Sequence, residues 1–139
     1  MQRYILKEKI KILIFGNPIL KKDRIAPTIA QDLRKEFPQL LFKEFDAVED
    51  LQKEGKSLYI IDAIDGINDV TVITDVNLLV INKIYSVHDF DLGYYLKLLK
   101  KMDMINHLVI FGIPIGMKKE LALEKIKQKI KSTLPLESD

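Results

Sequence analysis

The chain has 139 residues, and its 22 basic and 20 acidic side chains leave a net charge of only +2. That length suits one domain with a workable core, and so small a charge balance argues against nucleic acid or a membrane surface as a partner. There is no cysteine, which excludes disulfides, thiolate metal sites, iron–sulfur clusters and cysteine nucleophiles together and agrees with a reducing, cytoplasmic setting.

Ile10 to Phe15 is an apolar, β-branched run closed by Gly16-Asn17-Pro18, the pattern of a strand ending in a turn. Ile25, Ile29, Leu33 and Phe37 then recur at helical spacing. Pro27 is tolerable in the first turn of that helix, and Pro38 ends it. Leu40 to Phe45 reads as a second strand with Asp46 at its end, followed by a short helix from Val48 to Lys53 that Gly55 stops. The continuous apolar run Leu58 to Ile61 predicts a strand buried on both faces.

Asp65-Gly66 marks a turn, after which Val70 to Thr74 and the strand-like run Asn77-Leu78-Leu79-Val80-Ile81 follow. Ser86 and Asp89 resemble a capping box, opening a helix with Leu92, Tyr95, Leu99 and Met102 on one face. A last strand runs from Leu108 to Phe111 and is ended by Gly112. The closing helix uses Leu123, Ile126, Ile130 and Leu134, with Pro135 beyond it. Strands alternating with helices predict an α/β fold: a single three-layer domain over residues 1–139, its largely parallel sheet covered by helices on both faces. No segment approaches the roughly 20 apolar residues of a membrane span, and the N-terminus lacks the apolar stretch of a signal peptide. A cytoplasmic monomer is expected.

Three side chains far apart in sequence stand out as possible metal ligands. Asp23 lies at the mouth of the first helix, Asp62 directly follows an apolar strand, and His88 falls in the first turn of a later helix. The carboxyl ends of parallel strands open onto one crevice, where these residues could meet. Two carboxylates and an imidazole suit a borderline divalent metal such as nickel or zinc. Each residue also has an ordinary explanation. Asp23 could cap its helix, His88 could be a surface histidine, and Asp62 could be held by a structural hydrogen bond. A carboxylate after four apolar residues nevertheless needs a partner or a metal to offset desolvation.

Other sites have less to offer. Asp46 could face the same crevice, whereas Asp65 beside Gly66 is turn chemistry and His107 is structural or solvated. Ser57, Ser86 and Ser132 lack a nucleophile elbow. Gly16-Asn17-Pro18 has neither a dinucleotide fingerprint nor a Walker lysine.

Taken together, these stretches resemble the hydrogenase maturation endopeptidases. That family opens with a strand and then Gly-Asn-Pro-Leu-x-x-Asp-Asp/Glu-Gly, against Gly16-Asn17-Pro18-Ile19-Leu20-Lys21-Lys22-Asp23 here. Its apolar strand ending in Asp-Ala is matched by Ile60-Ile61-Asp62-Ala63, and its Ser-x-His before a helix by Ser86-Val87-His88. Its closing strand with Gly-Ile is similar to Val109-Ile110-Phe111-Gly112-Ile113.

The resemblance implies an endopeptidase that removes the C-terminal extension of the precursor of a nickel–iron hydrogenase large subunit. It implies that Asp23, Asp62 and His88 recognise nickel carried by that precursor, and that Asp46 occupies the place of a characteristic aspartate ending the second strand. Lys22, Arg24 and Ala47-Val48-Glu49 depart from the family's first acid, glycine and Gly-Gly-Thr. Two alternatives accompany this reading: a relative that binds a metal or hydrogenase-like partner without cutting it, and a phosphate- or nucleotide-binding α/β domain.

Overall fold

Alternation along the strands divides the apolar residues between two faces of one sheet. In β1 (Lys11–Phe15) Ile12 and Ile14 belong to one core and Leu13 and Phe15 to the other, and all four are buried. This is the period of two expected of a pleated strand covered on both sides. The computed structural model describes residues 9–16, 24–45, 48–75, 77, 85–86 and 92–136.

β2 (Leu41–Phe45), β1, β3 (Ser57–Asp65) and β6 (His107–Pro114) lie side by side in that order, all parallel. β4 (Thr71–Ile73) is antiparallel to β6 at the far edge, and β5 (Tyr85–Ser86) is antiparallel to the end of β3. Two helices, α1 (Ile25–Glu36) and α3 (Lys119–Thr133), cover one face through Ile29, Leu33, Ile126 and Ile130. The other face is covered by α2 (Leu92–Lys101) and a 3₁₀ helix (Val48–Glu54), through Leu96, Leu99 and Leu51. The predicted α/β layers are therefore present, with a mostly parallel sheet between them.

The sequence explains α1 closely. Ala26, Ile29, Ala30 and Leu33 fall at i, i+3, i+4 and i+7 and form its buried stripe. The helix stops where Phe37 returns its N–H to the Leu33 carbonyl, just before Pro38. Arg34 and Lys35 place positive charge in the last turn, where the helix dipole favours it. Ion pairs link α1 to α3, from Lys119 to Asp32 at 3.5 Å and from Lys131 to Glu36 at 3.5 Å. Exposed pairs of this kind contribute roughly 0–1 kcal/mol, whereas each buried Ile or Leu contributes about 1.5–3 kcal/mol. Apolar packing decides the docking.

Several elements differ from expectation. β3 runs four residues beyond Ile61, and Gly112 lies inside β6 rather than ending it. Asn77 has helical backbone, and its N–H donates to the Asp75 carboxylate at 2.9 Å in the manner of a helix cap. The expected strand beginning there is thus not entered at Asn77, and Leu78 to Ile81 lie outside the described residues. Ser86 pairs with Ile64 in β5, while its expected capping partner Asp89 lies outside the described residues. Met102 is exposed because α2 ends at Lys101, and Leu96 takes the buried position instead.

Candidate functional site

Asp62 is the one fully buried charged residue among the described residues, with 0% exposure. It sits in β3 beyond four apolar residues that commit the strand to the interior. Ile60 belongs to the core beneath α2 and Ile61 to the core beneath α1. Strand alternation therefore turns Asp62 towards the α2 face.

Register places its neighbours. Ile14 is paired with Ile61, so Phe15 ends β1 at the level of Asp62. Phe15 is paired with Phe45, Asp62 with Gly112, and Gly112 in turn with Thr71. A transverse row Phe45, Phe15, Asp62, Gly112 and Thr71 thus crosses five strands. The two phenylalanine rings stack with centroids 5.5 Å apart, giving the carboxylate an apolar flank towards the β2 edge.

The chain leaves β1 through α1 to reach β2 on one side, while β3 lies against β1 on the other. The topological switch therefore falls between β1 and β3, and in open α/β sheets ligands bind outside the carboxyl ends of strands at such a point. Gly16 makes the exit from β1 with φ of 148°, a conformation that side chains rarely adopt.

Of the four predicted site residues, only Asp62 is described; Asp23, Asp46 and His88 lie outside the described residues. Their chain neighbours are informative. Arg24, after Asp23, is the N-cap of α1. Phe45, before Asp46, ends β2 in the same row as Asp62. Ser86, two residues before His88, is paired with Ile64, two residues after Asp62. Because β5 is antiparallel to β3, its direction leads from the end of β3 back towards the level of Asp62. Among the described residues alone, no three His, Cys, Asp or Glu side chains converge as a metal site.

Of the residues set aside by sequence, Asp65 and Ser86 lie near the carboxyl end of β3, and the others lie elsewhere. His107 opens β6 at the opposite end of the sheet, exposed, with its ring edge-on to Tyr59 at 5.5 Å. Asp65 is exposed at the end of β3, and Ser132 donates to the Lys129 carbonyl at 3.1 Å. A separate cavity of about 310 Å³, lined by Lys9, Lys11, Glu54, Ser57 and Tyr59, opens at the amino ends of β1 and β3, away from Asp62. Gly112 is the neighbour that the sequence reading assigned wrongly. A glycine within an apolar run can signal close approach as well as a strand end.

No protein-family model and no curated protein sequence matches the chain. Two solved structures do. The crystal structure of the hydrogenase 3 maturation protease superposes with a TM-score of 0.60 at 20% identity, over 87% of this chain and 88% of that one. The solution structure of an endopeptidase from Escherichia coli gives 0.58 at 16% identity, over 91% and 95%. No helix among the described residues is long and apolar enough to cross a membrane. This chain has the α/β fold of these two endopeptidases across nearly their whole lengths.

Proposed function

We propose that this chain is an endopeptidase that removes the C-terminal extension of a nickel-loaded precursor of a nickel–iron hydrogenase large subunit. The observation that carries this reading is the burial of Asp62 at the switch point between β1 and β3. Likeness in fold to a hydrogenase 3 maturation protease supports it. A carboxylate at that point offers an anionic oxygen to a divalent cation, and an imidazole such as that of His88 is the donor type that suits nickel. In this reading nickel arrives as part of the substrate.

Asp62 supplies one oxygen ligand to it, and Asp23 and His88 supply the others. Ser86, two residues before His88 in the chain, is paired with Ile64 at the end of β3, and this supports His88 as a ligand at that end of the sheet. Asp23 adjoins the N-cap of α1, and Asp46 follows the stacked Phe45. Asp46 acts in peptide positioning or proton transfer. Hydrolysis adds water to the scissile carbonyl carbon, breaks the C–N bond and leaves the departing amine with a proton. The protein works in the cytoplasm, as a monomer.

The test is incubation with a cognate nickel-loaded precursor, followed by intact mass. Release of one C-terminal peptide is expected. An unchanged precursor, shown to be competent with its own protease, overturns the peptidase assignment. The departures at Lys22, Arg24 and Ala47-Val48-Glu49 favour a second reading, binding without cutting. It gives stable co-elution with the precursor and no mass change.

A further inference from the structure

Gly112 stands beside Asp62 in the β3–β6 ladder, on the same face of the sheet. A Cβ built there would lie 2.9 Å from Ile64 Cγ1 and 3.2 Å from Ile67 Cδ1. Both side chains thus fill the notch left by the missing one. Ile64 is fully buried, and Ile67 follows the turn at Gly66, whose φ is 91°. The turn folds the chain back so that Ile67 reaches Gly112 on the neighbouring strand β6.

We propose that Gly112 is a positioning residue for the Asp62 site. Its missing side chain lets Ile64 and Ile67 build a dry apolar wall on the β6 side of the carboxylate. Phe15 and Phe45 form the apolar flank on the opposite side. Approach to Asp62 is then confined to the gap between these walls, where β5 and the exit from β1 meet the end of β3. This arrangement determines the direction from which a ligand reaches the carboxylate. It rests on Asp62 being the functional group, but not on nickel or on cleavage.

Carboxyl footprinting tests it without metal or precursor. Soluble carbodiimide and glycine ethyl ester modify accessible carboxylates, and peptide mass spectrometry resolves Asp62 from the exposed Asp65 and Asp69. In the wild type Asp62 should react at least tenfold more slowly than Asp65. Gly112→Ala should raise Asp62 modification severalfold, leave Asp69 unchanged and shift the Asp62 carboxyl ¹³C resonance. Gly116→Ala is the structural control, since its φ of 83° strains any side chain while nothing lies within 4 Å of an added Cβ. It should lower stability without moving either readout.

If Gly112→Ala fails to fold, Ile67→Ala opens the same wall from the half-buried side and decides the matter. Unchanged Asp62 reactivity and resonance in whichever variant folds overturns the proposal. Failure of precursor cleavage, by contrast, would leave this result untouched.

Discussion

Glu54 accepts a 2.7 Å hydrogen bond from Lys11 across 43 residues of sequence, tying the end of the 3₁₀ helix to the first residue of β1. Lys43 donates a second bond of 2.7 Å from β2, so one carboxylate clamps the helix onto two strands. The Glu54 side chain is only 7% exposed, whereas the two lysines are 37% and 50% exposed. Burial by itself would raise the Glu54 carboxyl. Hydrogen bonds and charge from Lys11 and Lys43 outweigh it and hold the carboxyl below its ordinary value of 4.5.

The pH dependence follows from that direction. With the folded value depressed, the unfolded chain binds the proton more readily, so the clamp stabilises fully above about 4.5 and is lost as pH falls through the folded value. Glu54→Gln should cost on the order of 1 kcal/mol at pH 7, a figure already discounted for the solvent-exposed lysines. Urea denaturation at pH 7 and at pH 3 should show the difference shrinking at the lower pH.

Asp62→Asn should separate activity from stability. Asn keeps the shape of the side chain and lowers its desolvation cost, but it weakens the interaction that the carboxylate makes, so stability should change by no more than about 1–3 kcal/mol. Precursor cleavage should fall about a hundredfold or more. Calorimetry and the mass assay on the same preparation check both halves, and retained cleavage would remove Asp62 from the site.

The two histidines should behave in opposite ways. His88→Ala and Asp23→Ala should each abolish detectable processing if they share a ligand with Asp62. His107→Ala, at the exposed start of β6, should leave the cleavage rate within about twofold and stability within about 0.5 kcal/mol. Equal loss in all three would point to a general folding defect.

Within α2, burial should override residue type. Leu96 is fully buried under the sheet and Leu98 is 51% exposed two residues later. Leu96→Ala should cost about 2–5 kcal/mol through lost transfer energy and a cavity. Leu98→Ala should fall within about 0.5 kcal/mol of the wild type. Chemical denaturation of the two variants gives the comparison directly.

Most of the fold was legible because its signals are local and repeated. The four-residue run Leu58 to Ile61 announced a doubly covered strand, and the spacing of Ile29 and Leu33 announced the stripe of α1. Where a residue has two local meanings, sequence reading chose wrongly. Gly112 could end a strand or admit a neighbour, and only contact with Ile64 and Ile67 shows the second. Met102 continued the apolar period of α2, but the helix ended one residue earlier.

For the site, sequence alone determined which side chains could serve. Asp62 was conspicuous because four apolar residues force a carboxylate indoors, and Asp23, Asp46 and His88 were singled out by their motifs. Tertiary structure decided what surrounds Asp62. Phe15, Phe45, Gly112 and Thr71 come from four other strands, and no local pattern encodes their row. Periodicity fixes the face a side chain takes on its own strand, whereas neighbours across a sheet depend on register and strand order, which arise only when distant segments pair.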